Sequence, residues 1–268
     1  SYISTMIDFH NHIIPNLDDG SKSIEMSLNM LKEAESQGIT DIINTVHFQH
    51  PKMEGKNTSY DFVIDEINKL QEIANENNIN VKIHPGSEVF FQFNLTEILD
   101  NPITVIGNGK YMLIEFQRLS FPENYEEELF KLQLKGITPI IAHPERYRGI
   151  QNNMKLAEKW FDRGYLIQID CASITGSFGK ETQKTAIQLL QHGLCHLIGS
   201  DAHNDKKRNF CLKEALTITE RLIGEKNILI IKENSERILS GKECLPYSIQ
   251  NSSNESIFNK IISFIRNN

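Results

Sequence analysis

Apolar residues along this chain alternate between two textures. Short β-branched runs near 6–9, 41–46, 81–87, 111–115, 138–142, 166–170 and 195–199 read as strands, and the longer stretches between them carry the 3.6-residue period of helices. Ile24, Leu28, Leu31 and Ala34 mark one buried helix face that stops at Gly38, and Phe62, Ile67, Leu70 and Ala74 mark another. Further helices end near Gly136, Gly164 and Gly193. Strand, helix, glycine, strand is the cadence of parallel β/α units, and about seven or eight of them predict a (β/α) barrel, with a doubly wound open sheet as the alternative. After Pro246 the texture changes. Ser248 to Glu255 is a polar linker, and apolar residues at 257, 258, 261, 262, 264 and 265 predict a short amphipathic helix. The expected organisation is one barrel domain over 1–247 with an appended segment over 248–268.

Composition narrows the class without naming a chemistry. A chain of 268 residues with 39% hydrophobic and 24% charged residues is neither disordered nor a membrane protein. Its net charge of −7 disfavours nucleic acid as a partner, and no transmembrane segment is expected. Cys171, Cys195, Cys211 and Cys244 show no CxxC spacing, and the N-terminus lacks a charged-then-apolar leader, so a reducing cytoplasm is the expected location. The positions six residues after these cysteines hold Ser177, Asp201, Thr217 and Gln250. The Cys-x5-Arg loop of thiolate phosphatases is therefore missing, and the four thiols read as small buried hydrophobes.

The ionisable residues fall into a pattern once placed on the strands. His10 and His12 sit two apart on the first apolar run, which in an extended strand points both imidazoles one way; Asp201 and His203 repeat the spacing. His47, Glu88, Glu115 and His143 each follow or end another predicted strand. In a barrel all C-terminal strand ends converge on one face, so residues far apart in sequence share a pocket. Any one of them has a bland reading, as a loop histidine or a helix cap. Together they favour metal ligation. Imidazoles and carboxylates without thiolate point to a catalytic site for manganese, iron or zinc, and the surplus of ligands points to two or three divalent ions sharing a carboxylate bridge. Such a cluster activates water and polarises a phosphoryl oxygen, which predicts metal-assisted phosphoester hydrolysis. Arg146 and Arg208 each follow a ligand candidate by a few residues and are candidate catalytic phosphate clamps. His84, His192 and His196 lie outside the pattern and read as structural or surface residues, while His50 lies near the pocket with nothing to place it.

The segments Ile7-Asp8-Phe9-His10-Asn11-His12 with Asp18-Asp19-Gly20, Leu113-Ile114-Glu115-Phe116, Ile141-Ala142-His143-Pro144-Glu145-Arg146 and Ser200-Asp201-Ala202-His203-Asn204 resemble, in order, motifs of the PHP (polymerase and histidinol phosphatase) superfamily. Within it the chain resembles the CpsB/YwqE branch of bacterial manganese-dependent protein-tyrosine phosphatases from about Met6 to about Leu239, and Phe178-Gly179-Lys180 and Lys207-Arg208-Asn209-Phe210 also look like that branch. The resemblance implies a distorted (β/α)7-type, TIM-like PHP barrel with its active site at the C-terminal strand ends. It implies a first ion on His10, His12, Glu88 and Asp201, a second on Glu88, Glu115 and His143, and a third on Asp19, His47 and His203. Asp18 adjoins Asp19 and the alignment does not separate them; either could instead cap the helix beginning near Ser23. Arg146 and Arg208 match the phosphate-binding positions. After His47, Phe48-Gln49-His50-Pro51 departs from relatives with basic residues there.

The implied substrate is phosphotyrosine on protein, especially the tail of a membrane-associated tyrosine autokinase that controls capsule or exopolysaccharide export. This would place the chain at the inner face of the membrane through its partner. The residues themselves do not show tyrosine specificity. A small-molecule phosphatase such as a histidinol-phosphate phosphatase and a non-enzymatic metal-binding regulator stay open, as does a homo-oligomer. The amphipathic segment is expected to fold back on the barrel, the alternative being contact with the kinase, a second subunit or lipid.

Overall fold

Chain order and sheet order coincide. The computed structural model describes residues 5–53 and 58–249. In it β1 (Ile7–Asn11), β2 (Asp41–Phe48), β3 (Lys82–Phe90), β4 (Tyr111–Glu115), β5 (Thr138–Ala142), β6 (Leu166–Asp170) and β7 (Leu197–Gly199) form one parallel sheet in the order of the sequence. A doubly wound sheet would reverse its order at a switch point; this one does not. It curls until the end of β1 meets the segment after β7, where Asn11 bridges Ala202, the Asp201 N–H donates to His10 O at 2.7 Å and the His12 N–H donates to Ala202 O at 2.8 Å. The result is a nearly closed seven-stranded barrel.

Helices α1 (Ile24–Ser36), α2 (Tyr60–Glu76), α3 (Tyr125–Leu134), α4 (Arg148–Asn152), α5 (Lys155–Asp162), α6 (Cys171–Thr175), α7 (Lys180–Gln191), α8 (Leu212–Ile223) and α9 (Glu225–Leu239) accompany the strands. Ser23 and Ser59 start the first two by accepting the N–H groups of Met26 and Phe62, at 3.1 and 3.3 Å, on their hydroxyls. Neither Asp18 nor Asp19 is therefore the cap of α1. The expected faces of these helices need one correction each: Ile24 and Phe62 are 46% and 49% exposed. The buried stripes are Ser27, Met30, Leu31, Ala34 and Val63, Ile67, Leu70, Ala74. A 3.6-residue period runs through Val63 rather than Phe62, and Ile24 lies in the first turn, where α1 has not yet reached the sheet. Gly38 ends α1 at φ +85°, a conformation that a β-carbon would strain.

Two apolar layers hold the barrel. Phe9, Ile43, Leu113, Ile140, Ala142, Leu166 and Leu197 fill its interior, joined by Ile238 of α9, while Ile42, Ile114, Ile141, Ile167 and Ile198 pack outward beneath Leu31, Leu70, Leu129, Trp160 and Leu189. Burial on both faces explains the nearly continuous apolar strands. Strand β1 carries one irregularity with a large consequence. Asp8 pairs with Ile42 but Asn11 pairs with Asn44, so β1 holds one residue more than β2 between those points. That bulge breaks the alternation after Phe9 and turns His10, which strict period 2 would have sent toward the helices, to the inside. Gly199 supplies the room, since a β-carbon there would stand 2.7 Å from Cβ of His10.

No helix among the described residues is long and apolar enough to cross a membrane. The linker from residue 250 onward and the expected amphipathic helix lie outside the described residues, as do residues 1–4.

Candidate metal centre

The nine predicted ligands gather at the C-terminal mouth of the barrel, as the placement at strand ends predicts. Besides the bulge that turns His10 inward, their routes differ from the simple extended-strand argument at His143 and Asp201. Strand β5 ends at Ala142 and β7 at Gly199, so His143 and Asp201 lie beyond them, both in left-handed backbone with φ +34° and +51°. Non-glycine residues seldom accept that geometry, and its presence at two ligand candidates is the strain expected where a side chain must be aimed. Asp201 and His203 still share the centre, although not through strand alternation.

Four groups of donor atoms overlap: His10, His12, Glu88 and Asp201; His12, Asp19, His47 and His203; Glu88, Glu115 and His143; and His47, His50 and Glu115. The first and third coincide with the expected first and second ion sites, and the second contains the expected third. His12, His47, Glu88 and Glu115 each belong to two groups, and Glu88 joins the expected first and second sites. Its Oε2 lies 3.2 Å from His10 Nε2 and 3.2 Å from His47 Nδ1, while Oε1 lies 2.8 Å from His143 Nε2. Asp201 Oδ1 stands 3.5 and 3.4 Å from Nε2 of His10 and His12.

Partners on the far side of the rings fix which nitrogen faces inward. His10 donates its Nδ1–H to Gln168 Oε1 at 2.9 Å, and Gln168 is itself oriented because its Nε2 donates to Asp170 Oδ1. His12 donates to Asp18 Oδ2 at 2.7 Å and His203 to the Asp201 carbonyl at 2.9 Å. Each of the three thus presents an Nε2 lone pair to the centre. This separates the adjacent aspartates: Asp18, buried, orients His12 and also accepts the N–H groups of Gly20 and His47, whereas Asp19 Oδ1 faces the centre 3.2 and 3.1 Å from Nε2 of His47 and His203.

These residues suit a cation. The inward lone pairs of His10 and His12 stand only 3.3 Å apart, and His47 Nδ1 and Glu115 Oε2 are buried with no hydrogen-bond partner. Acceptors so placed are costly unless a positive charge joins them. Electrostatics agrees. Burial opposes charge on His10, but Glu88 and Asp201 outweigh it and raise its pKa to about 9; burial together with Glu88 raises that of Glu115. A field that retains a proton on a buried imidazole also attracts a metal ion.

Arg146 and Arg208 line the adjoining cavity of about 560 Å³, whose rim also includes Pro51, Phe90, Phe116 and Leu119. Arg146 Nη1 donates to Asp170 Oδ2 at 2.9 Å and Asp201 Oδ2 at 2.7 Å, and Arg208 Nη2 donates to Asp201 Oδ2 at 2.5 Å. Both guanidiniums lie against the Phe178 ring, at 5.0 and 5.7 Å from its centroid. Arg208 Nε is buried and unpartnered.

The site also draws on residues to which the sequence pattern gives no role. Asp170 and Gln168 support from β6, Phe178 braces the arginines, and Arg118 reaches the cavity rim. His50 joins the pocket with Nε2 3.5 Å from Glu115 Oε2; burial and the neighbouring His47 lower its pKa to about 4. Asp170 ends the apolar run of β6 and so carries the strand-end signal, whereas Gln168, Phe178 and Arg118 do not. His84, His192 and His196 stay away, bonded to Asp41 Oδ1, Gln188 O and the Ile167 N–H respectively.

Comparison with known proteins follows the same lines. A model of the capsular polysaccharide synthesis family CpsB/CapC matches residues 6–240. The tyrosine-protein phosphatase YwqE of Bacillus subtilis is 35% identical over 235 residues, covering 87% of this chain and 91% of YwqE. The tyrosine-protein phosphatase CpsB of Streptococcus pneumoniae is 31% identical, covering 82% and 92%. A solved structure from the crystallographic study of those two proteins, described there as unique metal-dependent tyrosine phosphatases, superposes with a TM-score of 0.86 at 32% identity, covering 92% of this chain and 100% of that one. The lactonase Lmo2620 of Listeria monocytogenes, at TM-score 0.54 and 11% identity, shares the fold alone.

Proposed function

This chain belongs to the capsular polysaccharide synthesis family CpsB/CapC, and from that premise we propose that it is a metal-dependent protein-tyrosine phosphatase. The observation that carries the reading is Glu88, shared between two ligand groups at the mouth of a barrel that matches known metal-dependent tyrosine phosphatases.

We assign His10, His12, Glu88 and Asp201 to a first ion, Glu88, Glu115 and His143 to a second, and Asp19, His47 and His203 to a third. Manganese is the preferred ion because the resemblance to bacterial manganese-dependent tyrosine phosphatases implies it, and imidazole and carboxylate donors without thiolate are compatible with manganese, iron or zinc. Divalent ions on such ligands lower the pKa of coordinated water toward neutrality and neutralise charge on a phosphoryl group. The protein's own part is positional. Arg146 and Arg208 hold phosphoryl oxygens with the N–H groups not engaged by Asp170 and Asp201, and Phe178 keeps their planes in place. Phe90, Pro51 and Leu119 offer apolar surface to a phenyl ring at the cavity rim. A phenolate leaves with a pKa of about 10, so little protonation of the leaving oxygen is needed.

We further assign as substrate a tyrosine-phosphorylated, membrane-associated kinase that governs capsule or exopolysaccharide export. Residues 1–247 would act as the catalytic unit at the cytoplasmic face, reached through that partner rather than a membrane span. The four cysteines carry no disulfide, which suits a reducing compartment. The test is a substrate panel. Phosphotyrosine peptide should be turned over, and chelator should abolish the reaction; robust hydrolysis of histidinol phosphate with none of phosphotyrosine would replace this reading by a small-molecule phosphatase.

A further inference from the structure

His50 differs from every other histidine at the centre whose tautomer its partners fix. His10, His12 and His203 donate Nδ1–H outward and turn a lone pair inward. In His50 the polarity is reversed: the backbone N–H of Lys52 donates to His50 Nδ1 at 3.1 Å, so Nδ1 is the acceptor and the ring hydrogen sits on Nε2. That Nε2 faces the cavity lined by Arg146 and Arg208. The ring cannot readily turn away, being 9% exposed, with Phe90 edge-on at 5.1 Å and 75° and the His47 ring at 4.5 Å. Glu115 Oε2, at 3.5 Å, accepts no hydrogen bond from it or from any other group. His50 therefore offers the pocket a fixed, uncommitted N–H donor where its neighbours offer acceptors. Its proximity to His47 and Glu115 suggests a further ion site, but a protonated Nε2 has no lone pair for a metal.

We propose that His50 is a substrate-binding residue, which donates Nε2–H to an oxygen of the phosphoryl group and is not a metal ligand. The proposal rests on the phosphatase reading. In that setting the donor adds a third side to the grip of Arg146 and Arg208, and it favours a tetrahedral oxyanion over a planar carboxylate.

Two conservative variants separate the two ring nitrogens. His50→Asn keeps an acceptor near Nδ1 for the Lys52 N–H and loses the inward donor; His50→Gln carries an amide N–H where Nε2–H was. Metal content by mass spectrometry and inorganic phosphate binding by calorimetry are measured on the metal-loaded proteins, beside phosphotyrosine-peptide turnover. The expected result for His50→Asn is unchanged metal content with phosphate binding weakened about tenfold, and for His50→Gln recovery to within about threefold of the parent. Loss of metal in either variant would make His50 a ligand or a ligand's support. Unchanged phosphate binding in His50→Asn, with the parent active on phosphotyrosine, would overturn the role of His50 and leave the phosphatase intact. A parent protein that binds no phosphate would overturn both.

Discussion

Asp18 accepts the Nδ1–H of His12 at 2.7 Å and is held by the Gly20 and His47 N–H groups, so it faces away from the centre that its neighbour Asp19 enters. Adjacent aspartates thus have separate tasks. Replacing Asp18 by Asn should weaken metal affinity by about 10- to 100-fold while leaving the ligand count intact. Asp19→Asn should instead lower the number of ions bound per chain. Metal titration of both variants checks this, and equal stoichiometry in the two would remove Asp19 from the ligands.

Ion binding should release protons. Glu88 and Asp201, against the effect of burial, raise the pKa of His10 to about 9, so at neutral pH the metal-free protein holds a proton there that an ion must displace. The free site is protonated below about 9 and competition eases as pH rises. Affinity should therefore climb toward pH 9, about tenfold per unit for each displaced proton. Calorimetry at one pH in two buffers of different protonation enthalpy reads the released protons directly; identical apparent enthalpies would count against it.

The two arginines should fail differently. Arg146 joins Asp170 and Asp201, which are fully or almost fully buried, so Arg146→Met strands buried carboxylates and should cost about 3–5 kcal/mol of stability. The Arg208 side chain is 31% exposed and shares Asp201 with Arg146. Arg208→Met should keep most of the stability and raise KM for phosphotyrosine peptide. Denaturant melts and steady-state kinetics of the pair distinguish the two effects.

His196 should make the fold sensitive to mild acid. Burial lowers its pKa to about 4 from 6.5, and its Nδ1 accepts the Ile167 N–H at 3.0 Å. Between those values the unfolded chain takes up a proton that the folded chain refuses, so this contribution is lost as pH falls from about 6.5 toward 4, by about 3 kcal/mol in all. Asp8 acts in the opposite sense, since burial raises its pKa to about 6 despite its bonds to Asn11 and Ser200. The comparison therefore uses His196→Asn, which keeps an acceptor and cannot charge: its stability relative to the parent should improve between pH 7 and 5. A constant difference would rule His196 out as the source.

Much of this architecture was legible because barrels repeat themselves. Seven apolar runs and the glycines after the helices report the strands, and convergence at strand ends is enough to bring His10, Glu88, Glu115 and His143 into one centre. What stayed hidden depends on local backbone geometry. The extra residue in β1 that turns His10 inward leaves no mark on the apolar pattern. The left-handed turns at His143 and Asp201 are likewise set by their surroundings and not by residue type. Ile24 and Phe62 misled because an apolar side chain in a first helical turn looks periodic without being covered. The inward N–H of His50 depends on one backbone donor at Lys52, which no composition could reveal.

The central claim is that ions held around Glu88 carry the phosphoryl chemistry. Its most direct test is phosphate release from a phosphotyrosine peptide by chelator-stripped protein, followed as manganese is returned and counted per chain. The account predicts that turnover vanishes on stripping and returns as the ions rebind. Stripped protein that keeps its full turnover would contradict it.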